Sequence, residues 1–145
     1  MITRFNLRVY GIVINDNHEV LVSHERRDGY EFNKFPGGGV ELGEGILEAL
    51  NREFNEELNV LIETASFFYV NDHFQVSSFN SNDQIVSFYY RVSVDTSAIK
   101  TELSHVPFGA NNLGDYEWVS WVPISQGLLS MMTFPIDKLV AKKLI

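Results

Sequence analysis

Between residues 28 and 45 this chain carries six glycines (Gly29, Gly37, Gly38, Gly39, Gly43 and Gly45) and Pro36, and from Ile46 to Leu58 it carries neither residue type. That junction constrains the fold more than any other feature. The first stretch holds too many breakers for long regular structure and reads as a long loop interrupted at most by a short strand. The second can run as an unbroken helix, and Leu47, Leu50, Phe54 and Leu58 recur on it at helical spacing as one apolar stripe. Loops of that length in a compact domain tend to carry function.

The remaining segments alternate between strand and turn signals. Residues 5–14 and 19–24 are rich in β-branched and apolar types and flank Asn15-Asp16-Asn17, so they read as a hairpin. Residues 60–74 and 84–94, separated by a turn-like stretch over 77–83, read as a second strand pair. Residues 116–122 form a further strand closed by Pro123, followed by a short helix over 124–129 and a longer one over Pro135–Leu144. This order suggests an α+β architecture in which helices cover both faces of a mixed sheet. No repeat or linker divides the 145 residues, and the expectation is a single domain over 1–145.

Composition narrows the function. The absence of cysteine removes disulfide frameworks, thiolate zinc sites and cysteine nucleophiles, and it fits a reducing, cytoplasmic setting. No apolar run approaches the length of a membrane span, and the first residues lack a signal peptide's apolar stretch. A net charge of −8 argues against nucleic-acid polymers and anionic membranes as partners. Residues 41–57 hold six acids (Glu41, Glu44, Glu48, Glu53, Glu56 and Glu57) against one base, Arg52, and so account for five of those eight charges.

On a helix turning roughly 100° per residue, Glu53, Glu56 and Glu57 share one face beside the apolar stripe. Arg52 lies four residues from both Glu48 and Glu56 and is placed to bridge them. Two carboxylates about 6 Å apart at an effective dielectric near 20 repel by roughly 3 kcal/mol before screening, so a compensating charge is expected. A divalent cation such as Mg²⁺ fits, since it takes carboxylate oxygens and shares its remaining positions with phosphates. The cluster also suits a glutamate of raised pKa acting as a base. A solvated acidic face held by one salt bridge remains the plain alternative. Neither a GxGxxG fingerprint nor a P-loop ending is present.

Gly38, five residues, Glu44, seven residues, then Arg52-Glu53-Phe54-Asn55-Glu56-Glu57-Leu58-Asn59-Val60 resembles the Nudix box of the Nudix hydrolases. Every position of that 23-residue pattern is matched except one, where Asn59 replaces the second glycine, and Phe35-Pro36-Gly37-Gly38-Gly39 leads into the box as it does in the family. Asparagine tolerates the left-handed conformation that often ends a helix. The resemblance implies an α/β/α sandwich with a mixed sheet, and hydrolysis of a nucleoside diphosphate linked to another group X, such as a nucleoside triphosphate, ADP-ribose or a sugar nucleotide. It implies Mg²⁺ or Mn²⁺ held by Glu53, Glu56 and Glu57, with a backbone carbonyl near Gly38 as a further ligand. Arg52 would orient the glutamates, and Glu44 would brace the loop or meet the metal through water. The base is left among Glu53, Glu56 and the loop acids Glu102, Asp115 and Glu117. A module that binds nucleotide without hydrolysing it is the alternative from another class, and a homodimer is left open.

An anionic substrate needs cations besides a metal, and Arg26, Arg27 and Lys34 just before the glycine loop are candidates, with Arg8 and Arg91 in strand-like segments as sheet-edge alternatives. Aromatic candidates for stacking on a base are Phe67, Phe68, Tyr69, Phe74, Phe79, Trp118 and Trp121, most of them expected in the core. The four histidines, His18, His24, His73 and His105, have no metal-motif spacing and read as turn or surface residues.

Overall fold

The computed structural model describes residues 1–101 and 114–145, with backbone alone for 104–105. Strands and helices divide between two compact units, one made of residues 1–13 and 36–99 and the other of 14–35 and 100–145. The first contains a mixed sheet and the second an antiparallel one, so the chain is of the α+β class.

In the first unit β1 (Arg4–Ile12) is a central strand. It pairs in parallel with β6 (Asp83–Ser93) over nine residues, from Arg4 opposite Asp83 to Ile12 opposite Arg91. On its other side it pairs antiparallel with β4 (Gly37–Gly39), and β5 (Thr64–Val70) completes the sheet antiparallel to β6. The helix α1 spans Ile46–Leu58, the range that its freedom from breakers predicts. It lies on the sheet face that carries Val9, Gly11 and Gly38. A methyl group at Gly11 would collide with the ring of Phe54, so the absence of a side chain there lets the helix approach. Ala49, Leu50 and Phe54 are fully buried, whereas Leu47 at the start of the stripe is 40% exposed. Asn59 ends α1 in the left-handed region (φ 54°, ψ 40°) and its N–H donates to the carbonyl of Asn55.

The first hairpin of the sequence reading does not form. β2 (Glu19–Arg27) belongs to the other sheet, and only a single bridge, Ile14 to Val20, joins the two sides of the Asn15 turn. Alternating apolar residues specify a half-buried strand but not its neighbour. Here β1 takes β4 and β6 instead. The breaker-rich stretch is also more ordered than its composition suggests, since it contains β4 and β3 (Tyr30–Lys34). The strand pair of 60–74 and 84–94 forms as β5 and β6.

In the second unit β2 pairs antiparallel with β3 and with β8 (Tyr116–Pro123), and the two-residue β7 (Ser104–His105) adds to β8. Two helices follow: α2 (Gln126–Met131), capped by the Ser125 hydroxyl on the N–H of Gly127, and α3 (Pro135–Leu144) with proline in its first turn. The Asn33 backbone exchanges hydrogen bonds with Thr133, through N–H to the hydroxyl and carbonyl from N–H, and its amide donates to the carbonyl of Met131. His24 is neither turn nor surface. Its Nδ1 and Nε2 each lie 2.7 Å from a partner, Asn33 and Ser120, and its ring stacks on Trp118, tying β2, β3 and β8 together. No helix among the described residues is long and apolar enough to cross a membrane.

Candidate active site

Three neighbouring pieces of the first unit build the acidic centre: β4, the loop over 40–45 and α1. Gly38 in β4 lies against the carboxyl group of Glu53 so closely that a Cβ there would sit 2.5 Å from Oε1. Glycine leaves this space to the glutamate, and any larger residue would displace the Glu53 carboxylate from its place against β4. Arg52, next along the helix, is the hub. Its Nη2 donates to Glu44 Oε1 at 2.7 Å and to the Gly39 carbonyl at 2.9 Å, its Nε donates to Glu44 Oε2 at 3.1 Å, and its Nη1 donates to Glu53 Oε1 at 3.0 Å and Glu56 Oε2 at 3.4 Å. Glu41 stands 3.9 Å from the same guanidinium.

The two-point contact with Glu44 is the arrangement in which arginine binds carboxylate most strongly. Glu44 also accepts from the N–H of Glu41, and the hydrogen bonds from Arg52 and from that N–H hold its carboxyl below the usual carboxylate range. The guanidinium is held well above its ordinary value, chiefly by the hydrogen bond to Glu44. Glu48, expected on Arg52, turns the other way and accepts from the N–H of Gly45 at 2.9 Å, satisfying a donor at the helix start. The contacts of Arg52 with the Gly39 carbonyl and Glu41 do not follow from helical spacing. Glu41 was visible in the acid count, but the return of the loop onto Arg52 was not.

Arg26, Arg27, Lys34, Asp115 and Glu117 lie in the second unit. Glu25 forms ion pairs there with Lys34 at 3.1 Å and Arg27 at 3.0 Å, and Arg27 also pairs with Glu117 at 3.0 Å. Burial pushes Glu25 up, but Lys34, Arg27 and the Ser23 hydroxyl outweigh it and hold the carboxyl low. Glu117 goes the other way: burial and the charge of Glu25 raise it against Arg27 and Lys34. Arg26 sits on the opposite face of β2, in register with Glu31 and Tyr116. Asp115 is fully buried and accepts from the N–H of Asp28, and Glu102 lies outside the described residues. Arg8 donates to the Tyr10 hydroxyl, and Arg91 is exposed on β6.

The NUDIX domain family matches residues 4–142. The chain belongs to that family. Among its Nudix relatives, the 8-oxo-dGTP diphosphatase of Escherichia coli is 37% identical over 60 residues, 40% of this chain and 46% of that protein, so the match spans less than half of its length. The RNA pyrophosphohydrolase of Acinetobacter baylyi is 29% identical over 129 residues, 79% of this chain and 74% of the relative. A MutT structure from a study of Aliivibrio salmonicida and Vibrio cholerae superposes with a TM-score of 0.65 at 24% identity, covering 97% of each chain, and supports the fold.

Within the Nudix box, α1 carries the three glutamates of the sequence reading on one side. Glu53 is mostly covered, with 14% of its side chain exposed, Glu57 is half-buried, and Glu56 is open at 57%. Among the described residues no three His, Cys, Asp or Glu side chains converge into a ready-made metal cage. The donor chemistry nevertheless fits a hard divalent cation. Arg52 offers one positive charge to four carboxylates within 4 Å, so the group keeps an excess of three negative charges before Glu57 is added. The bonds to Arg52 engage Oε1 of Glu53 and Oε2 of Glu56, and each carboxylate has a second oxygen, the type of donor Mg²⁺ prefers. The glycines of β4 bring backbone to the same place.

Proposed function

We propose that residues 1–145 act as one Nudix hydrolase domain, a pyrophosphohydrolase dependent on Mg²⁺ or Mn²⁺ that cleaves the diphosphate linkage of a nucleoside diphosphate joined to a group X. The observation that carries this reading is the Arg52 hub, which gathers Glu44, Glu53 and Glu56 beside the glycine strand in a chain matched by the family over residues 4–142. Names of relatives favour a nucleotide with a 5′ phosphate chain as substrate, free or at the end of RNA.

Glu53, Glu56 and Glu57, with a carbonyl of the Gly38 region, would hold the ion. When bound, it supplies charge neutralisation to the diphosphate oxygens and acidifies water in its shell. The chain's own groups do the rest. Arg52 holds Glu53 and Glu56 in place, so little reorganisation is needed as negative charge builds at phosphorus. Glu53 or Glu56 takes the proton of the attacking water, with Glu102, Asp115 and Glu117 as the acids outside α1 that compete for that role. Arg27 and Lys34 are candidates for phosphate contact only if substrate draws them from Glu25 and Glu117.

The test is an assay of the purified chain with Mg²⁺ or Mn²⁺ against nucleoside triphosphates including oxidised ones, ADP-ribose, dinucleoside polyphosphates, sugar nucleotides and 5′-triphosphate RNA, with products identified. Release of a nucleoside monophosphate, pyrophosphate or phosphate is expected. No product from any member overturns the reading, and a raised melting temperature without cleavage would instead point to a binding module.

A further inference from the structure

We infer that the half of the mixed-sheet face left open beside α1 is the contact surface of a two-fold dimer of this chain. Residues 5, 7, 9 and 11 of β1 share one face, and the parallel register places residues 84, 86, 88 and 90 of β6 beside them. α1 covers the Val9 and Gly11 end. Towards the other end the face is apolar and uncovered: Phe5 is 67% exposed, Leu7 40% and Val76, bridged to Gln84, 37%. Val86 and Phe88 are half-buried, and Phe67, packed edge-on against Tyr90, is 57% exposed. None of these residues carries a charge, in a chain where charged types make up 21% of the whole.

Area argues for a second copy as the occupant. With roughly 200 Å² for a fully exposed aromatic side chain, this row and its immediate neighbours present on the order of 500 Å² of apolar surface. A stable interface takes about 800 Å² from each partner. In homodimers about 65% of that is apolar, again roughly 500 Å², so one face against its own copy closes the requirement without another element. Two-fold pairing needs one self-complementary patch, and an uncharged sheet face is self-complementary in charge. Each copy carries −8, so the pairing should tighten as salt screens the repulsion of the surrounding charges.

The experiment is light-scattering mass and sedimentation velocity on the full chain, from low micromolar to near-millimolar concentration at low and high salt, beside Phe5→Glu and Leu7→Glu. Wild type should approach twice the chain mass, more completely at high salt, and each variant should fall to the single-chain mass with an unchanged far-ultraviolet spectrum. Should a variant fail to fold, Leu7→Thr, which places a β-branched strand former there, provides the same comparison. A wild type that stays monomeric throughout overturns the inference. Strong binding of an apolar dye by that monomer would assign the face to a different protein, and no dye binding would mean the chain covers it itself. Variants that remain dimeric with the wild-type association constant would also overturn it.

Discussion

Two networks of charge sit in the two units, and they are built on opposite principles. Around Arg52 one cation faces four carboxylates, and Glu56 is largely in water. Around Glu25, among the described residues, two cations, Lys34 and Arg27, face two carboxylates, Glu25 and Glu117, and the Glu25–Lys34 pair is almost wholly out of water. A buried network must balance, because an uncompensated charge in a poorly polarisable interior costs several kcal/mol. A network open to solvent can stay unbalanced, and that imbalance is what makes it able to take a cation. Burial and stoichiometry thus separate a fastening from a site, although both look in the sequence like acids near bases.

This contrast is most exposed to Glu56→Gln and Glu57→Gln. Each should lower turnover by about a hundredfold or more while the melting temperature without metal stays near wild type, because neither side chain lies on the buried stripe. Near-normal rates and normal metal dependence in both would remove the ligand assignment. The next largest effect belongs to the balanced network. Lys34→Met should cost about 3–5 kcal/mol by leaving two largely buried carboxylates, Glu25 and Glu117, to the one remaining cation Arg27, read as a fall in melting temperature on the order of 10 °C. Glu25→Leu with Lys34→Met should recover most of it. A double variant as unstable as the single would show that the pair is not the unit.

Arg52→Ala is smaller in stability, about 1–2 kcal/mol, because the carboxylates it frees can return to water. Its signature is different: Mg²⁺ should restore part of the lost melting temperature, which no metal should do for Lys34→Met. Acid titration gives the smallest effect and separates the networks by sign. Glu44 and Glu25 are held below the usual value of 4.5, so the stability they contribute is complete above that pH and drains away as pH falls through their folded values. Glu117 is held above it, so its contribution is complete below pH 4.5 and is lost as pH rises through its folded value. Glu117→Gln should therefore flatten the stability profile on the neutral side only, as measured by urea unfolding at a series of pH values.

Much of the acidic centre was legible because its information is local. The span of α1 follows from the absence of breakers, the sharing of one side by Glu53, Glu56 and Glu57 follows from helical period, and Asn59 adopts the left-handed cap that its side chain tolerates. What was not legible is set by residues far apart. Which strand lies beside β1 depends on β6, some eighty positions later, and the pairing of Arg52 with Glu44 rather than Glu48 depends on the path of a loop. The division of the aromatic residues between core and surface was not legible for a related reason. Of the seven aromatic stacking candidates, most expected in the core, Phe67, Phe74 and Phe79 are exposed, because apolar character reports what a side chain prefers and not whether the fold has a place for it.

The parallel pairing of β1 with β6 also sets an order of events. During synthesis β1, β4 and α1 leave the ribosome early, but β1 sits at the middle of its sheet and lacks one neighbour until Ser93 has been made. Closing a ring of about eighty residues is slow relative to forming a local hairpin. Until then one long edge of β1 is unpaired, with Phe5 and Leu7 on its open side. The hazardous interval for this fold is therefore the time between synthesis of β1 and completion of β6, when an interrupted product would present a strand with one adhesive edge unpaired.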